Sequence, residues 1–180
     1  MTGIHFEEIC RRVKHITKKY ASEDPAELCR SMDIQIVFKD MGSHETAIKA
    51  MMVKFCRIRC IVVNSQLSET VRRFIIAHEL GHAVLHADGA DEFTERIAFD
   101  HSSHMELEAN IFASELLIPG ENSLIEQMKT TGYTIFQLAA EHMVPYELMA
   151  YKLMLMKRNG YDVPDIPHEA DSCFLKKIFR

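Results

Sequence analysis

The sequence predicts an α+β fold, a small antiparallel sheet packed beside two long helices, with a helical, helix-turn-helix-like C-terminal part. Three observations carry this. β-Branched and aromatic residues concentrate in one stretch, residues 34–64, instead of alternating with helical segments as a parallel α/β fold requires. On both sides of that stretch, apolar residues recur at helical spacing. Helix-starting residues punctuate the chain at Asp24-Pro25, Ser68, Thr134 and Pro145.

Taken in order, residues 4–20 place Ile9, Val13, Ile16 and Tyr20 on one face, with Arg11, Arg12, Lys14, Lys18 and Lys19 between them, which is an amphipathic helix. Asp24 then caps a short helix that Pro25 opens and that ends near Asp33. Strands are expected at residues 34–38 (IQIVF), 49–55 (KAMMVKF) and 59–64 (RCIVVN), antiparallel, the last two joined as a hairpin. Ser68 caps a long, largely buried helix that carries its apolar pattern towards Gly89. Residues 88–104 are polar, acidic and without period, hence a loop. Residues 105–118 return to helical spacing until Pro119-Gly120 stops them. Further helices are expected near 124–128, from the Thr134 cap to His142, and over 146–159 after Pro145. The expected organisation is a metal-site domain over residues 1–119, a helical subdomain over 120–160 and an arm over 161–180.

Composition narrows the class. The 180 residues are 47% hydrophobic and 26% charged, with 7 Gly and 5 Pro, which excludes a disordered or fibrous chain. A net charge of −5 lacks the basic footprint of a dedicated nucleic-acid binder. Five cysteines, an odd number without a C-x-x-C pair, argue against a disulfide framework or a Cys-only metal site. The start has charges inside its apolar pattern, and no window approaches a membrane span, so no membrane partner and a cytoplasmic location are expected.

The chemistry sits in His78-Glu79-Leu80-Gly81-His82. Two imidazoles four residues apart share a helix face about 40° from each other and one turn apart in height, as two ligands of one ion require. Glu79 stands beside that face, where it can reach water held by a metal. Three ionisable groups between apolar runs are costly to bury unless they bind something. A third ligand is needed. Asp88 would require a chain turn that Leu85 does not provide, and His86 would stretch the ligand set over about 12 Å of one helix. The next helix offers Glu106 and Glu108. They face differently, and Glu108 is favoured because it shares a stripe with Phe112 and Glu115, whereas Glu106 groups with Asn110.

The segment RRFIIAHELGHAVLH followed by ELEANIFASELLIP resembles the ImmA/IrrE family of zinc metallopeptidases. The resemblance extends from DPAELCRSMDIQI through IVVNSQLSETVRRF to LLIP, and more weakly to the C-terminal helices. It implies Zn²⁺ bound by His78, His82 and the Glu of the E-A-N signature, Glu108, with Glu79 as catalytic base. It also implies a protein substrate, a helix-turn-helix repressor whose cleavage derepresses mobile-element or stress-response genes.

Around that centre the sequence offers supporting roles. Glu115 is a candidate to orient a ligating imidazole, Asn110 to bond loop backbone, and His101 or His104 to stabilise an oxyanion. His86 reads as structural or as a secondary metal contact, and the edge of strand 59–64 as a place for an extended substrate to pair. Two other classes compete. One is a non-proteolytic, metal-bound regulator or toxin–antitoxin partner that binds a repressor. The other is a DNA-binding regulator using residues 133–157, against which the second helix opens Pro145-Tyr146-Glu147-Leu148-Met149 with no base-reading side chain. The methionines over 149–156 read chiefly as core filling.

Overall fold

A computed structural model describes residues 6–44, 47–55, 58–86, 103–118 and 120–163. The order is α1 (Phe6–Tyr20), α2 (Pro25–Ser31), β1 (Ile34–Lys39), β2 (Ala50–Phe55), β3 (Ile58–Asn64), α3 (Glu69–Leu85), α4 (Ser103–Leu117), α5 (Glu121–Thr131), α6 (Ile135–Glu141) and α7 (Tyr146–Arg158). The fold is α+β. Its starts are those that local hydrogen bonding dictates: the Asp24 carboxylate accepts from the Glu27 N–H, the Ser68 hydroxyl from Val71, and Thr134 forms a reciprocal capping box with Gln137. The expected arm beyond residue 163 and most of the 88–104 loop lie outside the described residues.

The sheet corrects one expectation. Its order is β1-β3-β2, with β2 and β3 antiparallel as a hairpin but β1 parallel to β3. Three strands running up, down and up give a parallel first and third strand when the third inserts between the other two. Residues 40–49 are long enough to let β2 skip a place, and the amide of buried Asn64 holds that connection. Its Nδ2 donates to the carbonyls of Gly42 (2.8 Å) and Ile48 (3.1 Å), and its Oδ1 accepts from the Met41 and Gln66 N–H groups. Central β3 therefore has both edges taken, so it cannot offer one to a substrate.

One face of the sheet, through Ile34, Ile61 and Val63, joins Ile9, Val13 and Ile16 of α1 and Phe74, Ile75 and Leu80 of α3 in the core. Each such side chain contributes about 1.5–3 kcal/mol on burial. Helix α4 packs on α3, α1 and α7. Helix α7 is buried over Leu148–Leu153 and again at Leu155 and Met156. A helix enclosed in this way cannot lie in a DNA groove, and Met149 and Met156 fill core as expected. Met143, at φ 49°, makes the tight turn between α6 and α7.

Lys152 of α7 is 1% exposed and its ammonium donates to the carboxylates of Glu115 and, at 2.9 Å, Glu121. Glu115 is thereby committed to α7, not to an imidazole. The two carboxylates outweigh the burial that would lower the Lys152 pKa, and hold it above its ordinary value.

Candidate metal centre

Helix α3 brings His78, Glu79 and His82 into the interior, each under 8% exposed. Gly81 is what lets α4 come so close. A Cβ at this position would meet Phe112 Cβ and Cδ1 at 3.1 Å and the Ala109 Cα at 3.2 Å, so any side chain would push the two helices apart.

Across that contact lies Glu106. Its Oε2 is 3.4 Å from His78 Nε2 and its Oε1 3.4 Å from His82 Nε2, while the two Nε2 atoms are 3.1 Å apart. Tetrahedral ligands at about 2.0–2.1 Å from zinc lie about 1.63 times that distance from one another, or roughly 3.3–3.4 Å. The Nε2 pair lies a little inside this edge length and each Nε2 lies at it from a different Glu106 oxygen, so the three residues together fit a single bound ion. Among the described residues, His78, His82 and Glu106 are the group that can hold a metal.

The structure thus gathers Glu106, not Glu108, with the imidazoles. Sequence reasoning took the apolar stripe of Phe112 as the site-facing side of α4. The stripe that meets His78 is instead the polar one, Glu106 and Asn110, four residues apart. Asn110 Oδ1 lies 2.9 Å from His78 Nδ1 and so accepts its proton and leaves Nε2 free for a metal. An E-x-x-x-N spacing following H-E-x-x-H was the available signal. Glu108 turns to His86, its Oε2 2.8 Å from Nε2, and His86 Nδ1 lies 3.1 Å from His82 Nδ1. His104 is exposed in the first turn of α4, and His101 lies outside the described residues.

Electrostatics separate the two nearest carboxyls. Burial pushes Glu79 up to about 7, the charge of Glu106 adds to this, and His78 opposes it. Burial also works to raise Glu106, but hydrogen bonds and charge from His78 and His82 outweigh it and hold Glu106 well below the usual carboxylate range. One carboxyl is therefore kept charged against the imidazoles, while its neighbour is poised to exchange a proton near neutrality.

Two imidazoles one helical turn apart and a carboxylate from the following helix form a group that can hold a metal, and kinship makes the chain a metallopeptidase. The chain belongs to the IrrE N-terminal-like domain family (Peptidase_M78), which it matches over residues 29–154. It is 34% identical over 140 residues to immunity region protein 2 of Bacillus phage phi105, covering 78% of this chain and 85% of that one. It is 26% identical over 153 residues to the metallopeptidase ImmA of Bacillus subtilis strain 168, covering 81% and 83%. Its fold resembles that of a Mycobacterium tuberculosis transcriptional regulator, with a TM-score of 0.59 at 20% identity, over 82% of this chain and 46% of that larger one. No described helix is long and apolar enough to cross a membrane.

Proposed function

We propose that this chain is a zinc-dependent endopeptidase that holds its ion through His78, His82 and Glu106, uses Glu79 as general base, and cuts a helix-turn-helix repressor protein in the cytoplasm. The carrying observation is the gathering of His78, His82 and Glu106 across the helix contact, the two Nε2 atoms 3.1 Å apart and a different Glu106 oxygen 3.4 Å from each, donor types and spacings that suit zinc. Bound there, zinc lowers the pKa of a water and polarises the scissile carbonyl. Glu79, with its raised affinity for protons, takes one from the attacking water and passes it to the leaving amine. Asn110 keeps His78 in the tautomer that leaves Nε2 unprotonated. Strand β2 is an edge strand that touches α3, so an extended substrate segment pairing with it would run beside the site helix.

The repressor substrate is supported by the kinship with a phage immunity region protein and with ImmA, and by the resemblance read from the H-E-x-x-H and E-A-N segments. The test has two stages. Elemental analysis of native protein is expected to find about one zinc per chain, lost in His78→Ala and Glu106→Gln. Incubation of the zinc-loaded protein with helix-turn-helix repressors from the same genome is expected to yield two fragments of one of them, and none with Glu79→Gln. A native protein that takes up no zinc refutes the metal assignment, and repressors that all stay intact refute the substrate.

A further inference from the structure

The metal ligands do not end at His82. Behind it runs a chain of three side chains, His82, His86 and Glu108, joined by two hydrogen-bond contacts. For His82 to present an unprotonated Nε2 beside His78 and Glu106, its one proton must sit on Nδ1. That nitrogen lies 3.1 Å from His86 Nδ1, which must then accept. The proton of His86 is thereby placed on Nε2, 2.8 Å from Glu108 Oε2, and the carboxylate accepts it. Both partners are shielded from water, the side chain of His86 at 11% exposure and that of Glu108 at 8%.

His86 is also held by its backbone. It is the C-cap of α3, and its N–H donates to the His82 carbonyl at 3.0 Å, so the ring returns to the residue whose carbonyl the helix end already uses. Arg12 Nη1 donates to the Val84 carbonyl at 3.1 Å and ties this last turn to α1.

We propose that Glu108 and His86 form a positioning relay, carboxylate to imidazole to imidazole, that sets the tautomer and ring orientation of His82 and so tunes how tightly the centre holds its ion. This deepens the zinc reading above and rests on it. Histidine is suited to position 86 because it accepts on one side and donates on the other in a single neutral ring. His78 has a shorter arrangement, one amide from Asn110, so the two imidazoles are oriented by chemically different partners.

The relay is tested by competing a chromophoric chelator for zinc against the purified full-length protein, with circular dichroism of each variant as the check on folding. Native protein is expected to bind one zinc. His86→Ala is expected to bind one zinc about 10–100-fold more weakly, the usual cost of losing a partner behind a ligand. His86→Gln, whose amide can accept from His82 and donate to Glu108, is expected to regain most of that loss, which a merely space-filling histidine would not require. Glu108→Ala in the His86→Ala background is expected to add no further weakening, because the chain is already broken. Should His86→Ala fail to fold, the comparison of His86→Gln with Glu108→Leu, which has no acceptor, carries the test, the second being the weaker binder. Native-like affinity in His86→Ala, or equal affinity of Glu108→Leu and native protein, overturns the relay and leaves the metal centre standing. Native protein that binds no zinc overturns the metal centre itself.

Discussion

Replacing Gly81 with alanine adds one methyl group between α3 and α4. That methyl would sit 3.1 Å from two atoms of Phe112 and 3.2 Å from the Ala109 backbone. Comfortable carbon contacts lie at about 3.5–4.0 Å, so the helices must part by roughly 0.4 Å. Phe112 is fully buried and Ala109 offers backbone, so neither can swing aside. Alanine favours the helix by about 1 kcal/mol over glycine, and overpacking costs about 1–3 kcal/mol, leaving a net loss of about 0–2 kcal/mol in stability. The site suffers more. Glu106 lies one turn before Ala109, and moving its carboxylate roughly 0.4 Å farther from imidazoles now 3.4 Å away exceeds the tolerance of about 0.2 Å of a good zinc site. Zinc affinity is expected to fall about tenfold or more, in the range seen when a ligand's support is lost. Chelator competition measures the affinity and urea unfolding of the metal-free protein measures the stability. A variant that binds zinc as tightly as the native chain would refute the claim that this close crossing sets the donor spacing.

Glu79→Gln is expected to keep zinc and fold while slowing repressor cleavage by about 10²–10⁴-fold, followed as fragment appearance on a gel, and undiminished cleavage would remove Glu79 as the base. Lys152→Met leaves Glu115 and Glu121 facing each other with their cation gone, and is expected to cost about 3–5 kcal/mol in urea unfolding, whereas adding Glu115→Gln and Glu121→Gln should recover most of it. The same cluster bounds the stable pH range. Burial works to raise Glu121, but its own backbone N–H and then the Lys152 contact outweigh this and lower it, so its contribution is whole above 4.5 and fades as pH falls below it; Lys152 is raised, so its contribution is whole below 10.5 and fades as pH rises beyond it. The melting temperature should fall at both extremes, and less steeply in the triple variant. Burial, helped by the charge of Asp24, pushes the Cys29 thiol up to about 12, so peptide mapping after alkylation at pH 8 should find Cys29 unlabelled until the protein is unfolded.

Where a feature depends on neighbours in sequence, it could be read in advance. Asp24, Ser68 and Thr134 cap their helices because each cap bonds an N–H only three residues on. The β2–β3 hairpin is local in the same sense. The parallel β1–β3 pair is not, since it depends on which strand inserts beside which, a choice made by the buried amide of Asn64 and by packing. At the site, the H-E-x-x-H spacing located His78, Glu79 and His82, because helix geometry alone puts them together. Choosing between Glu106 and Glu108 required knowing the rotation of α4 about its axis, which Gly81 and Phe112 set across the helix contact. The fate of Glu115 was hidden for a similar reason: its partner, Lys152, lies 37 residues away on another helix.

Helix α4, which carries Glu106, Glu108 and Asn110, packs against α1, which precedes it in sequence, and α7, which follows it. This has a consequence for how the site assembles. A chain still on the ribosome, with α7 not yet emerged, has both histidines in place but leaves one flank of α4 bare and the carboxylates of Glu115 and Glu121 without Lys152. Assembly of the site is thereby tied to a helix that carries none of its ligands, and a copy in which α7 has not packed holds the carboxylate side of the site on one support fewer.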